Sequence, residues 1–343
     1  MRSMTAPATM SAARIHRMGS PEAIEINSVD TPIPAPGEIL VAVYAAAVNF
    51  PDTLMIAGQY QVKAALPFVP GHEAAGVITA VGDGVTSHSP GDRVAVLAPG
   101  AFAEYLVAPA GAAVPIPAEI TFAEAAATWV CHLTAYHALR STAEIRSGDN
   151  VLVLGAGGGV GLAAVELAAS LGARVVAAAS SSEKLDAARR KGAHATINYT
   201  EGNLRDGIRA ALGPGAIDAV IDPVGGPHAE SALRELRWGG RFVTLGYASG
   251  EIPRIPLNLI LLKGAVVKGL EIRTFAHHDP QNASRDRDEF TALWRSGRIR
   301  PLIHARFPLS QAREALELVT NRSSIGKTII EVVSDYTISS EEH

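Results

Sequence analysis

Cysteine is almost absent from this 343-residue chain. The single thiol, Cys131, excludes an intrachain disulfide framework, fits a reducing compartment and reads as a small buried group. Charge is sparse as well, with 19% of residues charged and a net charge of −4. That balance leaves no electrostatic footprint for nucleic acid or an anionic membrane. Aromatic residues, at 5%, are too few to build a stacking platform for RNA. Long apolar runs are missing too: the most apolar late segment, 257–270, is broken by Lys263, Gly264 and Lys268 and makes a poor membrane span. Residues 1–10 hold one arginine and no apolar stretch of the kind a secretory leader needs. The expectation is a soluble, cytoplasmic protein whose first ten residues lie outside the folded part.

What is abundant is core material. Hydrophobic residues make up 48% of the chain, and the length exceeds a comfortable single core, so two domains are expected. From 11 to 114 short strand signals (39–47, 73–81, 93–97 and 103–107) are punctuated by Gly and Pro, which reads as a small β-rich domain. Residues 120–140 show helical spacing, with Thr121 and Glu124 placed as a capping box. Beyond them, strand signals at 151–154, 174–179, 195–198, 217–222, 241–245 and 265–270 alternate with helical ones. Such alternation specifies an α/β fold with a doubly wound parallel sheet. After Phe275 come a polar helix (286–295), a strand (306–309), a helix (310–320) and a last strand (328–333), assigned to the first domain because the parallel sheet already has six strands. The expected domains are therefore 1–123 with 276–343, and 124–275.

The most informative stretch is 151–161, where an apolar strand runs into a glycine turn and then a helical pattern. Small residues let the backbone turn tightly and approach a pyrophosphate, whose charge sits against the free N–H groups of the helix starting near Gly159. In the G-x-G-x-x-G frame Ala156 takes the first place, followed by Gly158 and Gly161, with Gly157, Gly159 and Val160 between or beside them. Some twenty residues on, where an NAD-binding unit ends its second strand with Asp or Glu, no acid is present. Ser180, Ser181, Ser182 and Lys184 offer hydroxyls and an ammonium instead, which suit a ribose 2′-phosphate. NADP(H) is therefore expected over NAD(H), although the same serines can cap the helix that follows.

Several motifs agree in order: Asn49-Phe50-Pro51-Asp52, Pro70-Gly71-His72-Glu73, Thr134-Ala135-Tyr136, the glycine turn, Asp222-Pro223-Val224-Gly225-Gly226, the run from Gly246 through Tyr247 to Ser249, and Gly326-Lys327. With them the chain resembles, over about 12–333, the zeta-crystallin-like quinone oxidoreductase branch of the medium-chain dehydrogenase/reductase superfamily. The resemblance implies a GroES-like catalytic domain split around a Rossmann domain, with the active site in the cleft between them. It further implies that Asn49 and Thr134 line the nicotinamide pocket and that Gly157, Gly158, Gly159, Val160 and Gly161 hold the pyrophosphate. Ser180, Lys184 and Tyr199 would surround the 2′-phosphate, and Gly246, Tyr247, Ser249 and Lys327 would complete the cofactor site. Tyr60 resembles a tyrosine of enoyl-thioester reductases and is a candidate proton donor.

Metal-dependent relatives place a cysteine where this chain has Asn49, a His-Glu pair at His72-Glu73, and a further ligand where Val130 stands. A catalytic zinc needs three protein ligands, so none is expected here, and His72 is expected to be a hydrogen-bonded residue. The pair His277-His278 before Asp279 is expected in an exposed loop. Without a metal to polarise a carbonyl, the expected reaction is hydride transfer from NADPH to a quinone or related enone. The alternatives are reduction of an enoyl thioester or other unsaturated carbonyl, with Lys63 near the site, and an NADPH-binding protein with little turnover. A homodimer is expected by resemblance, through the strand at 265–270, whose edge is otherwise an aggregation hazard.

Overall fold

A computed structural model describes residues 6–332. The chain forms two compact units: Cys131–Arg300 is one, and the described residues on either side of it make the other.

The first unit begins with β1 (Thr9–Ile15), β2 (Ile24–Asp30), β3 (Glu38–Val48), β4 (Glu73–Val81), β5 (Arg93–Leu97), β6 (Tyr105–Pro109) and β7 (Ala113–Pro115). Strand β3 is buried along almost its whole length. It pairs with β4 on one side and, at its start, with β6. Ile39, Val41, Ile78, Phe102, Leu316 and Ile330 belong to the core of this unit. β1 and β2 form a separate antiparallel ribbon, tied on by bridges from Ala12 to Ala103 and from Ile15 to Phe68. The pattern of β2 is too polar to read as a strand by itself, because Glu25, Asn27, Ser28 and Asp30 rely on the β1 backbone rather than on burial. Thr9 and Met10, expected outside the folded part, pair with Asp30 and Val29.

The second unit holds β8 (Asn150–Leu154), β9 (Arg174–Ala179), β10 (Ala195–Asn198), β11 (Ile217–Asp222), β12 (Leu236–Thr244) and β13 (Val266–Gly269). All six are parallel, in the order β10-β9-β8-β11-β12-β13. This is the doubly wound sheet expected from the alternation, and helices on its faces explain why β8 and β9 read as continuous apolar runs. The order reverses between β8 and β11, the place where such sheets collect ligands.

The chain returns to the first unit with β14 (Ile303–Pro308) and β15 (Lys327–Glu331). β15 adds antiparallel to β3. Val333, expected to end that strand, lies outside the described residues, as do residues 1–5.

The units divide at 130/131 and 300/301, later than the expected 123/124 and 275/276. Side chains explain the second shift. The helix Pro280–Arg295 is tied to the helix Trp129–His137 by Tyr136 Oη donating to Glu289 at 2.8 Å and by His137 Nδ1 lying 3.0 Å from Asp286 Oδ2. The 120–140 stretch is not one helix either. Thr121 caps Phe122–Ala126 with the expected Glu124 box, a break follows, and the second helix ends in a π-helical turn, Ala138–Thr142. His277 and His278 are exposed, but they close a helix (Ile272–His278), and Asp279 caps the next through the Asn282 amide at 3.3 Å.

Candidate active site

In the second unit the segments that follow β8 to β12 carry the nucleotide signals. Gly155 makes the turn after β8 with φ +60, and a Cβ there would lie 2.4 Å from Val224 Cγ2. The conformational demand therefore falls on Gly155, one residue before the Ala156 that takes the first place in the sequence frame. At Gly161 a Cβ would sit 2.2 Å from the Gly155 carbonyl oxygen, so this glycine lets the helix pack directly on the turn. Gly157 makes room for the Lys184 side chain, 2.4 Å from where its Cβ would be. Gly158 differs. It caps the helix Gly159–Ser170, and a Cβ on it would meet only the Gly155 oxygen at 3.5 Å, an ordinary contact. Protein packing does not require glycine at 158, whereas a pyrophosphate resting on the N-terminus of this helix would. Val160 lies half-buried in the first helical turn.

Two of the remaining signals meet just beyond β9. Lys184 Nζ lies 3.4 Å from Ser180 Oγ, and Ser181, not Ser180, caps the helix Ser182–Arg190. Capping and ammonium placement thus fall to different serines. Tyr199 follows β10, its ring 4.3 Å from that of His228, whose pKa burial pushes down. Beyond β11 and β12 two loops lace together: Ala248 and Ser249 donate to the Pro223 and Val224 carbonyls. Tyr247 packs so closely on Gly225 that a Cβ there would lie 2.8 Å from its ring. Gly246 has open space, its nearest neighbour being the Pro223 oxygen at 3.8 Å. Asp222 is buried and accepts the Val224 and Gly225 amides at 2.8 Å each. Burial raises its pKa against the pull of those two bonds. Thr134 lies half-buried on the helix Trp129–His137.

In the first unit the site residues form a buried polar network. Asn49 precedes the helix Phe50–Ile56, and its backbone N–H donates to Asp52 Oδ2 at 2.8 Å. Its side-chain amide donates to the Ala47 carbonyl (3.3 Å) and to Glu73 Oε2 (3.2 Å), and its Oδ1 accepts from Lys327 Nζ at 2.5 Å. The amide hydrogens and Oδ1 of Asn49 are thus all engaged within the network. Lys327 Nζ also lies 3.2 Å from Glu73 Oε2, and Glu73 Oε1 accepts the Val130 N–H at 2.8 Å. Asn49, Asp52, Glu73 and Lys327 are all buried. His72, just before β4, turns Nδ1 to Asp52 Oδ1 at 3.2 Å and leaves 39% of its side chain exposed. Tyr60 sits on the loop after the helix, its N–H bonded to the Leu54 carbonyl.

Sequence reasoning placed Asn49 and Lys327 in one site without revealing that they touch, and it left out the carboxylates of Asp52 and Glu73 that organise them. A glutamate and a lysine opening apolar strands were the available signal, since buried charges are paired. Among the described residues, no three His, Cys, Asp or Glu side chains are grouped so as to hold a metal ion. At the metal-binding positions of the zinc-dependent relatives stand an amide, a backbone N–H and a histidine already turned to Asp52, and Lys327 supplies the buried cation.

Two family models match the chain: the alcohol dehydrogenase GroES-like domain over residues 35–118 and the zinc-binding dehydrogenase over 159–286. A quinone oxidoreductase-like protein 2 homolog from Nematostella vectensis is 36% identical over 322 residues, 93% of this chain and 88% of that protein. The quinone oxidoreductase of Sus scrofa is 33% identical over 325 residues, 94% of this chain and 97% of that one. Among solved structures, quinone oxidoreductase from Escherichia coli, complexed with NADPH, aligns with a TM-score of 0.86 at 30% identity, covering 94% of this chain and all of that one.

Proposed function

Since the chain belongs to the quinone oxidoreductase branch of the medium-chain dehydrogenases/reductases, we propose that it is an NADP(H)-dependent reductase that passes hydride to quinones or related enones without a metal ion. The observation that carries the cofactor choice is the end of β9, where Ser180 and Lys184 stand together in place of an acid. A cation and hydroxyl donors match a 2′-phosphate, whereas a bare diol is best held by the carboxylate that is missing here. The NADPH bound to the E. coli relative agrees with this reading.

When bound, NADPH supplies a hydride from C4 of its nicotinamide. The glycines of the turn would seat the pyrophosphate, Tyr199 would flank the 2′-phosphate, and Gly246, Tyr247 and Ser249 would complete the cofactor site. Asn49 is held rigid by Lys327 and Glu73, and on the second unit Thr134 would offer a hydroxyl to the cofactor. A quinone or enone stabilises the incoming negative charge itself, so no Lewis acid is needed, and positioning supplies much of the rate. That reading fits a donor set whose cation is a lysine.

NADPH oxidation with 9,10-phenanthrenequinone, a benzoquinone, crotonyl-CoA and a simple aldehyde, each with and without chelator, tests the proposal. Chelator-insensitive turnover of the quinones is expected. Preference for crotonyl-CoA would move the assignment to enoyl reduction, and chelator-sensitive aldehyde reduction would refute the metal-free reading. NADPH binding without any turnover would mark a non-catalytic protein.

Assembly as a homodimer belongs to the same proposal. β13 is an edge strand of the parallel sheet, Val266 and Val267 on it are exposed, and Leu257, Leu261 and Leu262 lie bare on the preceding helix. A second copy of this chain would cover that edge. Light scattering is expected to give a dimer for the native chain and a monomer for Leu261→Asp; a native monomer at micromolar concentration refutes it. Among the described residues no helix is long and apolar enough to cross a membrane.

A further inference from the structure

We propose that His72, oriented by Asp52, is the acid that protonates the reduced acceptor. The inference rests on the hydride-transfer reading and names the group that completes it.

Hydride addition to a quinone yields a hydroquinone anion, and an enone yields an enolate, so each turnover needs one proton at an oxygen or carbon of the acceptor. Within the buried polar network only His72 combines a proton on a nitrogen with access to solvent: Asp52, Glu73, Asn49 and Lys327 are buried, whereas 39% of the His72 side chain is exposed. Its geometry is constrained from behind. Asp52 Oδ2 is held by the Asn49 N–H at 2.8 Å, which leaves Oδ1 facing His72 Nδ1 at 3.2 Å. A carboxylate in that position accepts the Nδ1–H and fixes the ring, so that Nε2 carries the exchangeable proton outward. The backbone adds a second constraint. Gly71, with φ +91, packs so tightly on Phe102 that a Cβ would lie 2.5 Å from its ring, which fixes where the chain enters β4 and where His72 departs from it.

The step balances. A hydride, one proton with two electrons, passes from the nicotinamide to the acceptor, NADPH becomes NADP+, and the N–H bond at His72 Nε2 breaks as the hydroquinone O–H forms. Solvent then returns the proton to the imidazole. Tyr60, the other candidate acid, lies on the loop after the helix Phe50–Ile56, its backbone N–H bonded to the Leu54 carbonyl.

His72→Ala, His72→Gln and Tyr60→Phe should be compared with the native chain in single-turnover NADPH oxidation by 9,10-phenanthrenequinone, in water and in D2O. Loss of the general acid is expected to slow the His72 variants about 10²- to 10⁴-fold, to abolish the solvent isotope effect and to leave the NADPH dissociation constant within twofold. Added imidazole is expected to restore the Ala variant, and Tyr60→Phe to keep the isotope effect. A readout without turnover accompanies these: mass spectrometry should show diethyl pyrocarbonate modifying His72, and NADP+ with hydroquinone slowing that modification. Unchanged rates in both His72 variants, or slow variants that imidazole does not rescue and whose isotope effect persists, would overturn the assignment. A native chain that consumes no NADPH with any quinone or enone would instead refute the reductase reading, and the proton role with it.

Discussion

Replacing Lys327 by Met keeps the side-chain stem and deletes the cation. Glu73 would then remain buried with one neutral amide donor on Oε2 and one on Oε1, and Asn49 Oδ1 would lose the Lys327 ammonium. At 3.2 Å the ion pair is worth about 5 kcal/mol for an effective dielectric constant near 20. Breaking a buried pair from one side costs about 3–5 kcal/mol, because the surviving charge stays desolvated. For a unit of this size that corresponds to a fall in melting temperature of roughly 6–20 °C. Replacing both partners, as in Glu73→Gln with Lys327→Met, leaves no uncompensated charge and should recover more than half of the loss. The assay is a thermodynamic cycle by urea unfolding on the native chain, both single variants and the double variant. A Lys327→Met loss below about 1 kcal/mol, typical of an exposed pair, together with no coupling to Glu73, would refute the reasoning.

Other expectations are shorter. On the proposed reading, in which Lys184 pairs with the 2′-phosphate, Lys184→Ala should weaken NADPH by about 10- to 100-fold while leaving NADH nearly unchanged in fluorescence titrations; equal loss for both removes the 2′-phosphate assignment. Gly161→Ala forces a Cβ to within 2.2 Å of the Gly155 oxygen, so the helix must retreat, at about 1–3 kcal/mol. NADPH affinity should fall with it, and calorimetry showing native affinity and stability would contradict the packing argument. Burial alone would raise the Asp286 pKa, but bonds from His137, Ser141 and Arg285 outweigh it and hold the carboxyl below the ordinary range. Because the folded value is depressed, this stabilisation is fully present above the unfolded value of about 3.9 and is lost as pH falls through the folded one. Asp286→Asn should therefore be less stable at pH 7 and show a flatter acid limb; parallel limbs in acid titrations followed by circular dichroism would count against the linkage.

Local patterns carried much of the architecture. The alternation beyond residue 150 specified six strands, and all six occur, because a strand covered on both faces must be apolar throughout and short turns must carry Gly, Asn or Ser. The glycine turn and the Thr121–Glu124 cap were legible for the same reason: each is satisfied within a few residues. Strand β2 of the ribbon escaped, since it gains its stability from the β1 backbone rather than from burial. The unit boundary at 300/301 escaped too, because it depends on Asp286 and Glu289 meeting His137 and Tyr136 about 150 residues away.

The candidate site divides along the same line. Sequence alone showed the glycine turn and the missing acid after β9, and the resemblance drew attention to Asn49, His72 and Lys327. Only the tertiary structure decided that Lys327 reaches Asn49 across 278 positions, that Glu73 holds both, and that His72 has Asp52 behind it. Turn and strand patterns obey short-range sterics and burial, which neighbouring residues determine. Which buried charge meets which depends on how β3, β4 and β15 lie side by side, and no local period encodes that register.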